Sequence, residues 1–283
     1  MEETRSARDF FDDEEYAFLE KTARAPEGSW AYGSDMQGIT SQMAAHVLAG
    51  EMTEFELVLE RDEATTSQCC AVEEFRRLVL LGLAYGVEVE DAPCANYLGA
   101  LYYMGELVPQ DYRRAKELYA LADSKGLVQG MINLGYIYEY GRVGEPDYPK
   151  AYAQYAKAVA IANHPEALYK LGDMYARGQA VEKDLHTALV LWDRSLKEAK
   201  GEAMQAQPAF RIAQLIADPA SAQQDLPYDP MGALRLFQLA ERGLMIAISK
   251  GDTYYRSRLA KAIEGQERMR AVLQSPEGCQ YLE

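Results

Sequence analysis

An eight-residue block recurs three times: LGALYYMG from Leu98, LGYIYEYG from Leu134 and LGDMYARG from Leu171. Each has Leu-Gly, a Tyr four residues after the Leu and a Gly seven after it. The copies are offset by 36 and 37 residues. A fixed period of this size is the signature of a stacked repeat, in which each unit buries its apolar face against the next.

A second block follows each copy: DYRRAKELYALA from Asp111, DYPKAYAQYAKA from Asp147 and DLHTALVLWDRS from Asp184. DPMGALRLFQLA from Asp229 is a fourth. In each, the Asp is followed by Ala, then an aromatic residue, then a small residue, at Ala115, Tyr119 and Ala122 in the first copy and at Ala151, Tyr155 and Ala158 in the second. Spacings of three and four place these on one helical stripe. Each unit therefore reads as two helices. The closing glycines, Gly105, Gly141 and Gly178, suit the left-handed residue that ends the first helix. The Asp suits the N-cap of the second. Pro230 and Pro149 fall in a first turn, where proline is tolerated.

Leu-Gly-x-x-Tyr-x-x-Gly, a short turn and Asp-x-x-x-Ala with an aromatic resemble the Sel1-like repeat, a relative of the tetratricopeptide repeat. The resemblance implies an all-α fold: a right-handed α-solenoid of antiparallel helix pairs with helical N- and C-terminal caps. The expected organisation is a helical N-terminal segment or cap over 1–64, a divergent helical unit over 65–94, three repeats over 95–202, a degenerate fourth over 203–251 and a capping helix and tail over 252–283. In the fourth unit Ile212 and Ala213 replace Leu-Gly, and a longer loop, PASAQQDLPY, precedes Asp229. SDMQGITSQMAAHVLAG from Ser34, EFELVLERD from Glu54 and TTSQCCAVEEFRRLVLLGLAYG from Thr65 read as further helices.

Charge and motifs narrow the function. The chain has 44 Asp and Glu against 29 Lys and Arg, a net charge of −15. That disfavours nucleic acid and anionic membrane as partners, since both need clustered cations. The N-terminus lacks the positive start and apolar run of a secretory signal, and the longest apolar run, Leu78 to Val87, is about half a membrane span. A soluble cytoplasmic protein is expected, with export by a route that needs no such signal left open. Cys69, Cys70, Cys94 and Cys279 show no Cys-x-x-Cys spacing. The adjacent Cys69-Cys70 pair reads as two small residues in or near a helix. His46, His164 and His186 are isolated and read as surface or capping residues. The acidic run Asp12 to Glu15 reads as a helix start rather than a calcium loop. Phosphate-loop, dinucleotide, zinc-protease and serine-elbow motifs are missing. No catalytic residue, cofactor or metal site is expected.

By analogy with tetratricopeptide repeats, a partner would bind the concave face lined by the first helix of each pair. The candidate positions are Asn96, Tyr103 and Met104 in the first unit, Ile132, Tyr136, Glu139 and Tyr140 in the second, and Tyr169, Asp173 and Arg177 in the third. Tyr102, Tyr138 and Tyr175 recur with the motif and read as core. Glu139 and Asp173 favour a protein or peptide partner carrying Lys or Arg. The expected function is a non-enzymatic scaffold or adaptor. Two alternatives stand beside it: the repeats as a docking platform for a functional module in residues 1–64, and an enzyme with an unrecognised site.

Overall fold

The computed structural model describes residues 6–25, 34–61 and 72–276, and every regular element among them is helical. The chain forms two compact units, Met1–Pro146 and Asp147–Glu283. Cys69, Cys70, Cys279 and the first residues of the helix expected from Thr65 lie outside the described residues.

The first unit contains α1 (Ala7–Phe10), α2 (Asp13–Ala23), α3 (Ser34–Ala49), α4 (Met52–Arg61), α5 (Glu73–Glu88), α6 (Ala92–Met104), α7 (Tyr112–Ser124) and α8 (Val128–Glu139). The acidic run is indeed a helix start: Asp12 accepts from the Glu15 N–H at 2.8 Å, and Glu15 accepts from the Asp12 N–H at 3.1 Å. That reciprocal box satisfies two donors a helix start leaves free. Gly50, with φ of 74°, ends α3 as the sequence suggests. EFELVLER lies in α4, a helix with Phe55 and Val58 buried, and Asp62 falls outside the described residues. One core runs through Phe11, Leu19, Val47, Phe55, Leu78, Leu83, Leu98 and Leu118. Residues before 65 thus share a core with the first repeat. Gly82 makes this possible, because a Cβ there would lie 2.5 Å from the Phe55 ring.

Within the first repeat, Gly105 has φ of 75° and its N–H bonds Leu101 O at 2.9 Å. Asp111 then accepts from the N–H groups of Arg113 and Arg114 at 2.9 and 3.1 Å. Gly99 faces the Tyr119 ring, which a Cβ would meet at 2.8 Å. The Leu-Gly pair of the first helix and the aromatic of the second are therefore one packing device. The motif tyrosine Tyr102 is half-buried and packs against this core.

The second unit contains α9 (Tyr148–Ala162), α10 (Pro165–Arg177), α11 (Leu185–Glu198), α12 (Glu202–Ile216), α13 (Pro230–Ser249) and α14 (Arg256–Gln274), with 3-10 turns at Pro219–Gln224 and Thr253–Tyr255. Trp192, Phe210, Phe237, Leu244 and Met269 form its core. Asp184 and Asp229 cap α11 and α13 through N–H groups at 2.9 and 2.8 Å. The long loop before Asp229 holds a turn of 3-10 helix: Asp218 accepts from Ala220 N, and the Ser221 hydroxyl donates to Leu215 O at 2.6 Å. α14 seats Gly265 against the Phe237 ring, 2.6 Å from where a Cβ would stand. No helix among the described residues is long and apolar enough to cross a membrane.

His164 caps α10, its Nδ1 accepting from Glu166 N at 3.3 Å, and burial pushes its pKa down. His186 lies in the first turn of α11, with Nε2 3.1 Å from Gln224 O. His46 departs from the surface expectation. Its side chain is only 18% exposed, and Nδ1 lies 2.9 Å from a Glu51 oxygen.

Candidate functional site

In the first unit the end of α6, the start of α7 and the residues after α8 bring four aromatic or cationic side chains together. Arg142 lies in the turn after α8. Its Nε–H donates to the Tyr103 hydroxyl at 3.0 Å. Its guanidinium carbon stands 5.5, 5.3 and 5.5 Å from the rings of Tyr103, Tyr112 and Tyr140. Those distances are within the range where a ring face attracts a cation. Tyr103 and Tyr112 meet edge to face at 5.2 Å, and Tyr136 stacks on Tyr140 at 5.8 Å with 8° between planes. The bond from Tyr103 and the nearby phenols raise the Arg142 pKa, against a lowering by partial burial. Tyr140, 48% exposed, forms the open edge of this cluster, and Met104, the residue after Tyr103 in α6, is 54% exposed.

The local backbone explains the placement. Gly141, with φ of 57°, turns the chain out of α8, and Arg142 N bonds Ile137 O at 3.1 Å. A Cβ on Gly141 would lie 2.7 Å from Gly144 O, so only glycine lets the turn fold back this tightly.

Asn96 is tied into a polar ladder. Asn133 Nδ2 donates to Asn96 Oδ1 at 2.9 Å, and Gln129 Nε2 donates to Asn133 Oδ1 at 3.2 Å. Two candidates of this unit do not reach the surface. Ile132 is fully buried and Glu139 nearly so. Their helix, α8, buries Gly130, Met131, Leu134, Gly135 and Ile137 as well, and has no broad open face.

The second unit treats its candidates differently again. From Ala167 to Met174 every residue of α10 is buried. Asp173, 3% exposed, pairs with Arg211 of α12 through two bonds: Nη2 to Oδ2 at 2.6 Å, and Nε to Oδ1. The Trp192 indole N–H donates to Asp173 Oδ1 at 3.1 Å and lies 3.2 Å from Tyr169 O. Arg177 reaches Asp173 at 3.4 Å. Arg211 lies 4.9 Å from the Tyr169 ring centre and donates to Gln207 at 3.0 and 3.1 Å. Arg258 of α14 also donates to Gln207, and burial together with Arg211 lowers its pKa. Tyr169 and Asp173 are therefore interior residues that lock α10, α11 and α12 together, with α14 joined through Arg258 and Gln207. Asp173 offers no open acidic group to a partner, because its oxygens are already committed.

Sequence reasoning missed Arg142 and Tyr112 in the first unit and Arg211 in the second. The available signal for Arg142 was charge: it is the only Lys or Arg between Lys125 and Lys150. Among the described residues no group of three or more His, Cys, Asp or Glu could hold a metal ion.

The period, the Asp-capped second helices and the absence of strands among the described residues define an all-α helix-pair repeat protein. More particularly, residues 92–198 carry Sel1 repeats: the Sel1 repeat family matches residues 92–126, 128–160 and 165–198. The chain is 34% identical over 86 residues to the ERAD-associated E3 ubiquitin-protein ligase component HRD3A of Arabidopsis thaliana, covering 30% of this chain and 12% of that protein. It is 34% identical over 104 residues to the alginate biosynthesis protein AlgK of Azotobacter vinelandii, covering 35% and 22%. The chain thus matches less than a quarter of the length of either relative. The fold is similar to the crystal structure of a protective antigen present in uropathogenic Escherichia coli strains that displays an SLR fold. The TM-score is 0.53 at 19% identity, over 95% of this chain and 56% of that one.

Proposed function

We propose that this protein is a scaffold that binds a protein or peptide partner, and that the Tyr103, Tyr112, Tyr140, Met104 and Arg142 surface of the first unit is where it does so. The observation that carries this is the exposed Tyr140 ring beside a guanidinium held by Tyr103 and Tyr112. Tyrosine and arginine give large contact areas with polar tips, and they dominate the energetics of many interfaces. The Sel1 repeats support the reading, since one relative is by name a component of a ligase assembly. A partner rich in Lys or Arg loses its support, because Glu139 and Asp173, which suggested it, are buried. Residues 1–64 contribute Phe11, Leu19, Val47 and Phe55 to a core shared with Leu98, which supports a cap rather than a separate module.

The test is an array of degenerate heptapeptides probed with the labelled full chain. Wild-type protein is expected to retain a subset of spots. Met104→Ala/Tyr140→Ala removes only exposed side chains and is expected to lose them while keeping the wild-type melting temperature. Unchanged spots with this variant would place the binding face elsewhere.

A further inference from the structure

Of the exposed arginines of its unit, Arg113 and Arg142 pair with no carboxylate among the described residues, and of these two only Arg142 is held by aromatic rings. Arg8 pairs with Asp13, Arg77 with Glu14 and Arg114 with Glu117, at 2.6, 3.2 and 2.9 Å. Arg142 pairs with no carboxylate among the described residues. One of its five N–H groups is spent on the Tyr103 hydroxyl. The rings of Tyr103, Tyr112 and Tyr140 hold the guanidinium in place. In a chain of net charge −15 with 44 Asp and Glu, Arg142 is an exposed cation left without a carboxylate yet fixed by its neighbours.

We infer that the surface around Arg142 takes a carboxylate: an Asp or Glu side chain, flanked by apolar residues, in a peptide segment of another protein. The inference rests on the proposed peptide-binding surface and names the chemistry it selects. A guanidinium offers parallel N–H pairs that match the two oxygens of a carboxylate, and such charge-assisted bonds are about twice as strong as neutral ones. Because the tyrosines already restrict the side chain, less rotamer freedom is lost on binding. Exposed Met104 and Tyr140 would cover the apolar flanks. The net negative charge of the whole chain opposes an acidic peptide at long range. At physiological salt that repulsion is screened over about 8 Å, whereas a direct contact at Arg142 is not.

The test fixes the central position of the degenerate heptapeptides as Glu, Gln or Lys and works at physiological salt. Glu arrays are expected to bind best, and a titrated Glu peptide to bind about tenfold more tightly than its Gln counterpart. Arg142→Gln is expected to bring that ratio to about one while leaving the Gln peptide unchanged. Arg142→Lys keeps the charge without the fork and is expected to retain part of the preference. A preference for Lys, or a Glu-to-Gln ratio that survives Arg142→Gln in protein with an unchanged melting temperature, overturns the inference. If all three classes bind equally and Met104→Ala/Tyr140→Ala abolishes them, the charge preference falls but the surface stands. If no peptide binds wild-type protein, both fall.

Discussion

Asp173 and Arg142 show how one residue type changes meaning with burial. Asp173 lies at a position where the tetratricopeptide analogy puts a groove residue, yet its oxygens serve Arg211, Arg177 and the Trp192 indole. Removing one partner of a buried pair strands the other charge at a cost of about 3–5 kcal/mol. Asp173→Ala is therefore expected to lower stability by about that amount in urea unfolding, since Arg211 is only 11% exposed. The double variant Asp173→Leu/Arg211→Met is expected to recover most of the loss, because well-packed apolar side chains often replace such pairs without penalty. A double variant as unstable as the single would mean that Asp173 acts through the indole instead. The sequence could not announce this pair. Arg211 precedes Ile212 and Ala213, where the degenerate fourth unit has lost its Leu-Gly, so no register marked it as facing Asp173. The Arg142 cluster was equally hidden, because a turn residue carries no periodicity that tells which rings it meets.

At the scale of the element, the legible features were those set by neighbours along the chain. The Asp caps and left-handed glycines involve bonds within a few residues, so Asp111, Asp184, Gly105 and Gly178 could be read from spacing alone. Which faces of α8 and α10 stay open depends on helices distant in sequence, and there the analogy failed for Ile132, Glu139, Tyr169 and Asp173. The motif Gly lies between the two cases: its smallness is visible, and its partner emerges only in the fold. At Gly172 a Cβ would stand 2.5 Å from the Trp192 indole nitrogen. Gly172→Ala is expected to cost about 1–3 kcal/mol, the range for overpacking a tight core. Gly38, in α3, has nothing within 4 Å of an added Cβ. Gly38→Ala is expected to gain about 0.5–1 kcal/mol, since alanine restricts the unfolded chain more and favours helix. Thermal unfolding of the two variants checks both signs; equal shifts would refute the contact at Gly172.

For the molecule as a whole, the most testable global property is how stability follows pH. Glu56 in α4 has its pKa raised to about 7, first by burial and then by Asp91 and Glu60. The folded state thus holds a proton that the unfolded state releases near 4.5. Between those values folding binds more protons than unfolding, so this group's contribution is most favourable below about pH 4.5 and is lost as pH rises toward 7. Glu56→Gln removes the titration. It is expected to raise the melting temperature at pH 8 by about 1–3 °C and to leave it nearly unchanged at pH 4.5, which a melting series over that range would record. A larger gain at pH 4.5 than at pH 8 would contradict the assignment. The turn after α8 has a different consequence, for how such a chain can change over generations. Arg142 and Glu145 are exposed. Mutations at these positions repack no helix, whereas a change at Asp173 or Gly172 strains several. If recognition sits at the Arg142 surface, as proposed, it can drift at this turn under selection while the architecture that carries it stays nearly fixed.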